Sequence, residues 1–333
     1  MLERVAAVVV AVPFAIGSLA APASGRDVVF RFQDPAIVEA SGLVVRDGLF
    51  VTTNDSGDSA RVFTVDPATG ATVGVTTWSA APEDVEALAP AGRHDVWVGD
   101  IGDNDNARSS ISVTRVPVGA TDHEVAGETY ELVYPDSAVD AESLLTDPRT
   151  GRLLVAGKSL LGGSLYAAPT RLRADRPNRL TEVGGVPPLA TDGAFFPDGR
   201  HLVLRDYGRA VVYSYPGLEE VGSLDLPQQQ QGEAIAVDDD ARVYVTSEGV
   251  NAAVLEVPLP AGLREVVSPE PTPSPSPSAS ATPGLSREGR ELPEEEPTGS
   301  RDAGQWLLGT VVFIGAVAVV LIAVRPRSGR RRT

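Results

Sequence analysis

The chain has no cysteine in its 333 residues, so neither a disulfide framework nor a thiolate metal site is available to it. It has one lysine, Lys158; every other basic residue is arginine. Three histidines, His94, His123 and His201, are too few and too scattered for a histidine-rich metal site or a Ser-His-Asp triad. No G-x-S-x-G or H-E-x-x-H occurs. Gly151 to Ser159 imitates a phosphate-binding loop, but it has five residues between its glycines, and its lysine ends a strand pattern instead of opening a helix. Positive charge is also scarce. Between the first few residues and the terminal arginines, 44 acidic residues face 22 basic ones. Such a body repels nucleic acid and suits cations.

Apolar runs occur at both ends. Val5 to Leu19 is apolar, and Ala21-Pro22-Ala23 follows it as a small-x-small cleavage site, so residues 1–23 read as a signal peptide. A retained anchor is the alternative, which Pro13 and Gly17 disfavour. Trp306 to Val324 carries no charge over 19 residues. As a helix it spans about 28 Å, against a bilayer core of about 30 Å. Five arginines follow within 325–333, which predicts a cytoplasmic tail and a single-pass type I protein of the cell membrane with its body extracellular. Residues 263–305 are rich in Pro, Ser and Glu and read as an extended stalk.

The body, 24–262, is built from a repeat. Ser41-Gly42-Leu43, Glu86-Ala87-Leu88, Glu142-Ser143-Leu144, Asp192-Gly193-Ala194-Phe195 and Glu233-Ala234-Ile235 each open a short apolar strand. Measured on the apolar residue, the steps are 45, 56, 51 and 40 residues. After Glu142 a turn at Asp147-Pro148-Arg149-Thr150-Gly151 sends the chain back to Lys158, so Glu142 and Lys158 share a rim. Repeats of this length, made of short strands, predict an all-β propeller with one blade per repeat. The fifth unit shows three strands, at Glu233–Val237, Arg242–Thr246 and Ala252–Pro258. The unassigned strand at Asp27–Gln33 supplies a fourth and closes a five-bladed ring. Six blades, one degenerate, is the alternative.

The first strand of a blade lines the channel, so Ser41, Glu86, Glu142, Asp192 and Glu233 are expected to converge on the axis. Two carboxylates about 5 Å apart repel by roughly 3 kcal/mol at an effective dielectric near 20. A proton, a basic side chain or a cation must offset that. The donors are all oxygen, which suits Ca²⁺ better than Mg²⁺ or Zn²⁺. The competing reading has these side chains bonding the backbone amides of neighbouring blades. Aligning Phe195-Phe196 with the other units puts Gly193 in the ligand register, so Asp192 or Thr191 would need a local shift to serve. Lys158 and Arg205 end second strands on the same rim. They either clamp an anion with the metal or pair with the ring's own acids. The loop Asp100-Ile101-Gly102-Asp103-Asn104-Asp105-Asn106 lacks EF-hand spacing; Asp100, Asp103, Asn104 and Asp105 make either a second cation site or a set of Asx turns. Trp78 and Trp97 read as blade packing.

One oxygen side chain per blade, in the order Ser41, Glu86, Glu142, x, Glu233, resembles the calcium-activated nucleotidase (apyrase) family. Ser56-Gly57-Asp58, Gly99 to Asn104 and Phe196-Pro197-Asp198-Gly199-Arg200 are similar to strings in actinobacterial surface propellers related to phytase-like and esterase-like propellers. The resemblance covers 27–260. It implies a five-bladed ring, a central Ca²⁺ held by Ser and Glu, and a phosphorylated or other anionic ligand that the protein hydrolyses. The alternative is a non-enzymatic module that binds a cell-surface polymer, with the ring serving stability.

Overall fold

The computed structural model describes residues 21–22, 27–55 and 57–268. The segments expected to be a signal peptide, stalk, membrane span and tail lie almost wholly outside these residues. Among the described residues, no helix is long and apolar enough to cross a membrane.

Local chemistry sets the strands. Arg46 pairs with Leu49, leaving Asp47-Gly48 as a two-residue turn. Both have positive φ, 48° and 77°, as a type I′ hairpin turn needs. Asp147 organises the turn anticipated after Glu142: its carboxylate accepts from Arg149 N and Thr150 Oγ1, and Gly151 N donates to its carbonyl at 2.8 Å. The innermost strands, such as Ala40–Arg46 and Glu142-bearing Ala141–Thr146, are buried along nearly their whole length. An outer strand, Thr72–Trp78, buries alternate residues instead.

Five sheets result. Ala40–Arg46, Leu49–Asn54, Arg61–Val65 and Thr72–Trp78 form the first. Val85–Pro90, Asp95–Asp100, Ile111–Pro117 and Glu128–Val133 form the second. The third runs Ala141–Thr146, Leu153–Gly157, Gly163–Ala167, Thr181–Val186; the fourth runs Asp192–Phe195, His201–Arg205, Arg209–Ser214, Glu220–Asp225. The fifth joins Gly232–Val237, Val243–Ser247 and Ala253–Val257 to the N-terminal Val28–Arg31, which pairs antiparallel with Ala253–Val257. The expected closure by the N-terminal strand is therefore observed, and the ring has five blades.

Buried apolar side chains fall into five clusters, one between each pair of neighbouring blades. Phe30 from the closing strand meets Phe32 and Phe50 edge-on, at centroid distances of 5.5 and 5.0 Å. A fully buried Phe contributes roughly 1.5–3 kcal/mol by removal from water, so these rings make the closure stable.

Three features go beyond the sequence expectation. His123–Val125 adds a parallel fifth strand to the first blade, and Asn178–Arg179 adds one to the second. Neither has a period-2 apolar pattern, and both are recruited by an edge already in place. Helix α1, Ala261–Val267, carries the ordered body past residue 262, with Leu263 and Val267 buried against the fourth and fifth blades.

Candidate functional site

The axial residues are positioned by bulges. In the first strand of four blades the pairing register shifts at the ring position: between Ala40 and Gly42, Val85 and Ala87, Ala141 and Ser143, and Gly232 and Ile235. The residues left over are Ser41, Glu86, Glu142 and, with Ala234, Glu233. A bulge frees one residue from the ladder and re-aims its side chain. The fourth blade has no such shift; Asp192 pairs directly with Arg205.

That missing shift gives Asp192 a different position from the one expected. It is fully buried, and its carboxylate accepts from Gly193 N at 2.7 Å and Ile235 N at 2.8 Å. Asp192 thus fastens the fourth blade to the fifth. Thr191 does the same, donating to Glu233 O at 2.9 Å. Ser41 makes the equivalent bond one step round the ring, donating to Glu86 O at 2.7 Å, and its Oγ lies 3.3 Å from Glu86 Oε2. The interblade-bond reading therefore describes Ser41, Thr191 and Asp192.

Three carboxylates gather where the first two blades meet, and only Glu86 among them belongs to the expected set. Asp55, Asp84 and Glu86 each place an oxygen within 4.8 Å of the others. Asp55 follows the second strand of blade one, and Asp84 precedes the first strand of blade two. Gly102 backs this cluster so closely that a Cβ there would lie 2.4 Å from Asp84 Oδ2 and 2.9 Å from Glu86 Cγ. Sequence reasoning took one oxygen per blade and missed Asp84 and Asp55. The closeness of Asp84 and Glu86 in sequence, at i, i+2, was the available signal.

Lys158 is bonded to Glu142 Oε1, and its ammonium lies 5.6 Å from the Tyr207 ring centroid. Burial works against the Lys158 charge, but Glu142, Tyr207 and Glu233 outweigh it and hold the pKa well above the usual lysine range. Glu142 Oε2 is buried without a hydrogen-bond partner among the described residues, and so is Asp84 Oδ1. Burial, with Glu142, Asp55 and Asp84 adding repulsion, pushes Glu86 up to about 11. Burial and then Asp55 raise Asp84 to about 6. Burial raises Glu233 to about 7, against Lys158 and Arg205; burial and Glu233 raise Glu248 to about 7.

Arg205 does not join Lys158 in a clamp. It has no exposed surface, and its guanidinium donates to the carbonyls of Asp206, Ala234 and Thr246 and to Gln229 Oε1. Lys158 thus pairs with an acid of the ring, as the second alternative has it, whereas Arg205 bonds carbonyl and amide oxygens instead. The Asp100 loop behaves likewise. Asp103 accepts from Ala107 N and Arg108 N, at 2.8 and 2.9 Å. Asp100 accepts from Asp84 N and is bridged by Arg108 at 2.9 Å. Their oxygens are spent on turns and an ion pair, and Asn104 and Asp105 stand exposed. The bonds of Asp103 are those of the Asx-turn alternative.

The mouth cluster itself fits a hard cation. Its donors are all oxygen, and one of them, Asp84 Oδ1, has no hydrogen-bond partner among the described residues.

No protein-family model and no curated protein matches this chain. Among solved structures it is similar to a chain of a nidogen/laminin complex, at 16% identity over 63% of this chain and 73% of that one, TM-score 0.38. It is also similar to the glutaminyl cyclase of Myxococcus xanthus, at 12% identity over 69% and 94%, TM-score 0.44. A gluconolactonase from Xanthomonas campestris matches at 13% identity over 69% and 89%, TM-score 0.41. The blade count and ring closure rest on the strand pairing itself.

Proposed function

We propose that this propeller takes up a Ca²⁺-type cation at its channel mouth and uses it to bind a small anionic ligand arriving on that face. Asp55, Asp84 and Glu86 would hold the cation, with Glu142 facing them across the mouth. The observation that carries the reading is the pair of orphaned buried oxygens, Asp84 Oδ1 and Glu142 Oε2, beside a crowded carboxylate cluster. A buried oxygen without a partner costs roughly 1–3 kcal/mol, and a cation supplies what is missing. When bound, such an ion can also polarise a phosphoryl oxygen, and a phosphoester is the ligand class on which the site would have chemistry to perform. Lys158 orients Glu142 and adds positive charge at the same rim. In this reading the apolar segment 306–324 holds the ring at the cell surface, and 263–305 spaces it from the bilayer.

Calorimetric titration of Ca²⁺ into chelator-stripped protein tests the first part. Saturable heat is expected in wild type and absent in Asp84→Asn, Glu86→Gln. A phosphoester panel with and without Ca²⁺ tests the second. No Ca²⁺ heat in wild type removes the site. Binding without turnover favours the non-enzymatic reading, which is supported by the interblade bonds of Ser41, Thr191 and Asp192.

A further inference from the structure

The channel has a second end. The innermost strands start at the acidic mouth and finish at the opposite face, where they enclose a cavity of about 450 Å³. Each blade contributes to its wall, with half-buried Val45, Pro90, Thr146, Phe195 and Val237 around it. Two arginines, Arg46 and Arg93, stand among the lining residues. The walls are largely apolar and the volume falls within the range of small-molecule sites, about 300–1,000 Å³.

The polar groups here are unevenly satisfied. Arg46 Nε and Thr146 Oγ1 are both shielded from solvent without a hydrogen-bond partner among the described residues. Arg46 Nη1 lies 3.5 Å from Asp239, whose carboxylate is 90% exposed, so that pair is loose. Arg93 is exposed and makes no ion pair among the described residues. Besides Asp239, two acids line the cavity, and both are already committed. Asp147 accepts from Arg149 N and Thr150 Oγ1. Asp238 accepts from the amides of Asp240 and Arg242, from Arg242 Nε and from the Tyr244 hydroxyl. An apolar hollow with a shielded, unbonded guanidinium nitrogen and a second guanidinium on its wall, its one loosely held acid, Asp239, being 90% exposed, selects an anion with an apolar body.

We infer that this end of the channel is a binding site for a small carboxylate with an apolar body, its carboxylate held by Arg46 and Arg93 and its body against the half-buried ring of side chains. The site is separate from the cation cluster, which lies at the other ends of the same strands, and does not depend on it. One strand set thus presents a cation-seeking mouth on one face and an anion-seeking hollow on the other.

The test uses the full chain in lipid nanodiscs, with empty nanodiscs as blank and chelator present throughout so that the cation cluster plays no part. 4-Phenylbutyrate, its uncharged amide and acetate are titrated by calorimetry. The acid is expected to bind roughly tenfold or more tightly than the amide, because a charge-assisted pair is lost in the amide. Acetate, lacking the apolar body, is expected to bind far more weakly than either. In an Arg46→Gln, Arg93→Gln double variant the acid and amide should bind alike. Thr146→Trp, which fills the hollow, should weaken both by tenfold or more, with its melting temperature followed as a control on folding. If Thr146→Trp does not fold, the arginine variant decides alone. Equal binding of acid and amide in wild type, unchanged preference in the arginine variant, or no binding of either compound overturns the inference.

Discussion

Lys158 Nζ is bonded to one carboxylate oxygen of Glu142, and the other oxygen, Oε2, has no partner among the described residues. The lysine side chain is 20% exposed and the glutamate's 10%, so this pair is mostly withdrawn from water. Removing one member of a buried pair leaves a charge without compensation, typically at a cost of about 3–5 kcal/mol. Lys158→Met is therefore expected to lower unfolding free energy by about that amount in urea titrations. Adding Glu142→Gln should restore much of the loss, since the stranded charge is gone. Equal stability of Lys158→Met and wild type would show that the pair carries no weight.

The crowded carboxyls give the cation a pH dependence of known sign. A carboxyl whose folded pKa exceeds its unfolded value favours folding while protonated. That contribution is complete below the unfolded pKa, near 4–4.5, and is lost as pH rises through the folded value. Asp84 loses it by about pH 6, Glu233 and Glu248 by about 7, and Glu86 by about 11. Cation-free protein should thus melt at falling temperature from pH 4.5 to 8. A bound cation favours the ionised forms, so its stabilisation should grow over the same window. At a hundredfold excess over Kd it amounts to about 2.7 kcal/mol, or a Tm rise of about 5–10 °C at pH 8 for a body of this size. Melts with Ca²⁺ or EDTA at pH 5 and pH 8 measure it. An equal Ca²⁺ shift at both values contradicts the assignment.

Asp192 and Asp84 should separate stability from cation binding. Asp192 accepts two interblade and local amides with both oxygens, whereas asparagine has only one acceptor to offer. Asp192→Asn is expected to cost about 1–3 kcal/mol and leave the Ca²⁺ shift in Tm intact. Asp84→Asn removes one of three clustered carboxylates, so it should stabilise the chelated protein slightly and abolish the shift. Thermal melts of both variants with and without Ca²⁺ decide between these roles. Loss of the shift in Asp192→Asn would return that residue to the ligand set.

The blade repeat, the turn at Asp147 and the closing role of Val28–Arg31 were legible because each depends on local pattern: apolar alternation, turn residues, and a strand count one short. The place of Glu86 and Glu142 on the first strands of their blades was legible for the same reason. The asymmetry was not. Bulges occur at Ser41, Glu86, Glu142 and Glu233 but not at Asp192, and a bulge is decided by how neighbouring strands pair. Asp55 approaches Asp84 and Glu86 from the neighbouring blade, a juxtaposition that no single repeat encodes. Arg205 ends its strand on the acidic rim as Lys158 does, yet it turns inward to the carbonyls of the fifth blade.

Gly102 provides a test of the cluster that leaves every carboxylate in place. A Cβ at this position would stand 2.4 Å from Asp84 Oδ2 and 2.5 Å from Asp84 Cγ, well inside contact distance. The obstructed group is the end of a side chain, so Gly102→Ala can be accommodated by swinging the Asp84 carboxylate aside. The cost in stability should be modest, about 1 kcal/mol, at the low end for overpacking. The cation geometry should suffer much more, because one of three ligands is displaced. Gly232→Ala is the matched control: its Cβ would lie 2.3 Å from Arg205 Nη2 and meet Arg205 and Gln229 instead of Asp84. It should destabilise the fold while keeping the Ca²⁺-dependent rise in Tm. Paired melts of the two variants therefore distinguish a cation site built by Asp84, Asp55 and Glu86 from a ring whose acids act only in folding. If Gly102→Ala keeps the full Ca²⁺ shift, Asp84 is not a ligand.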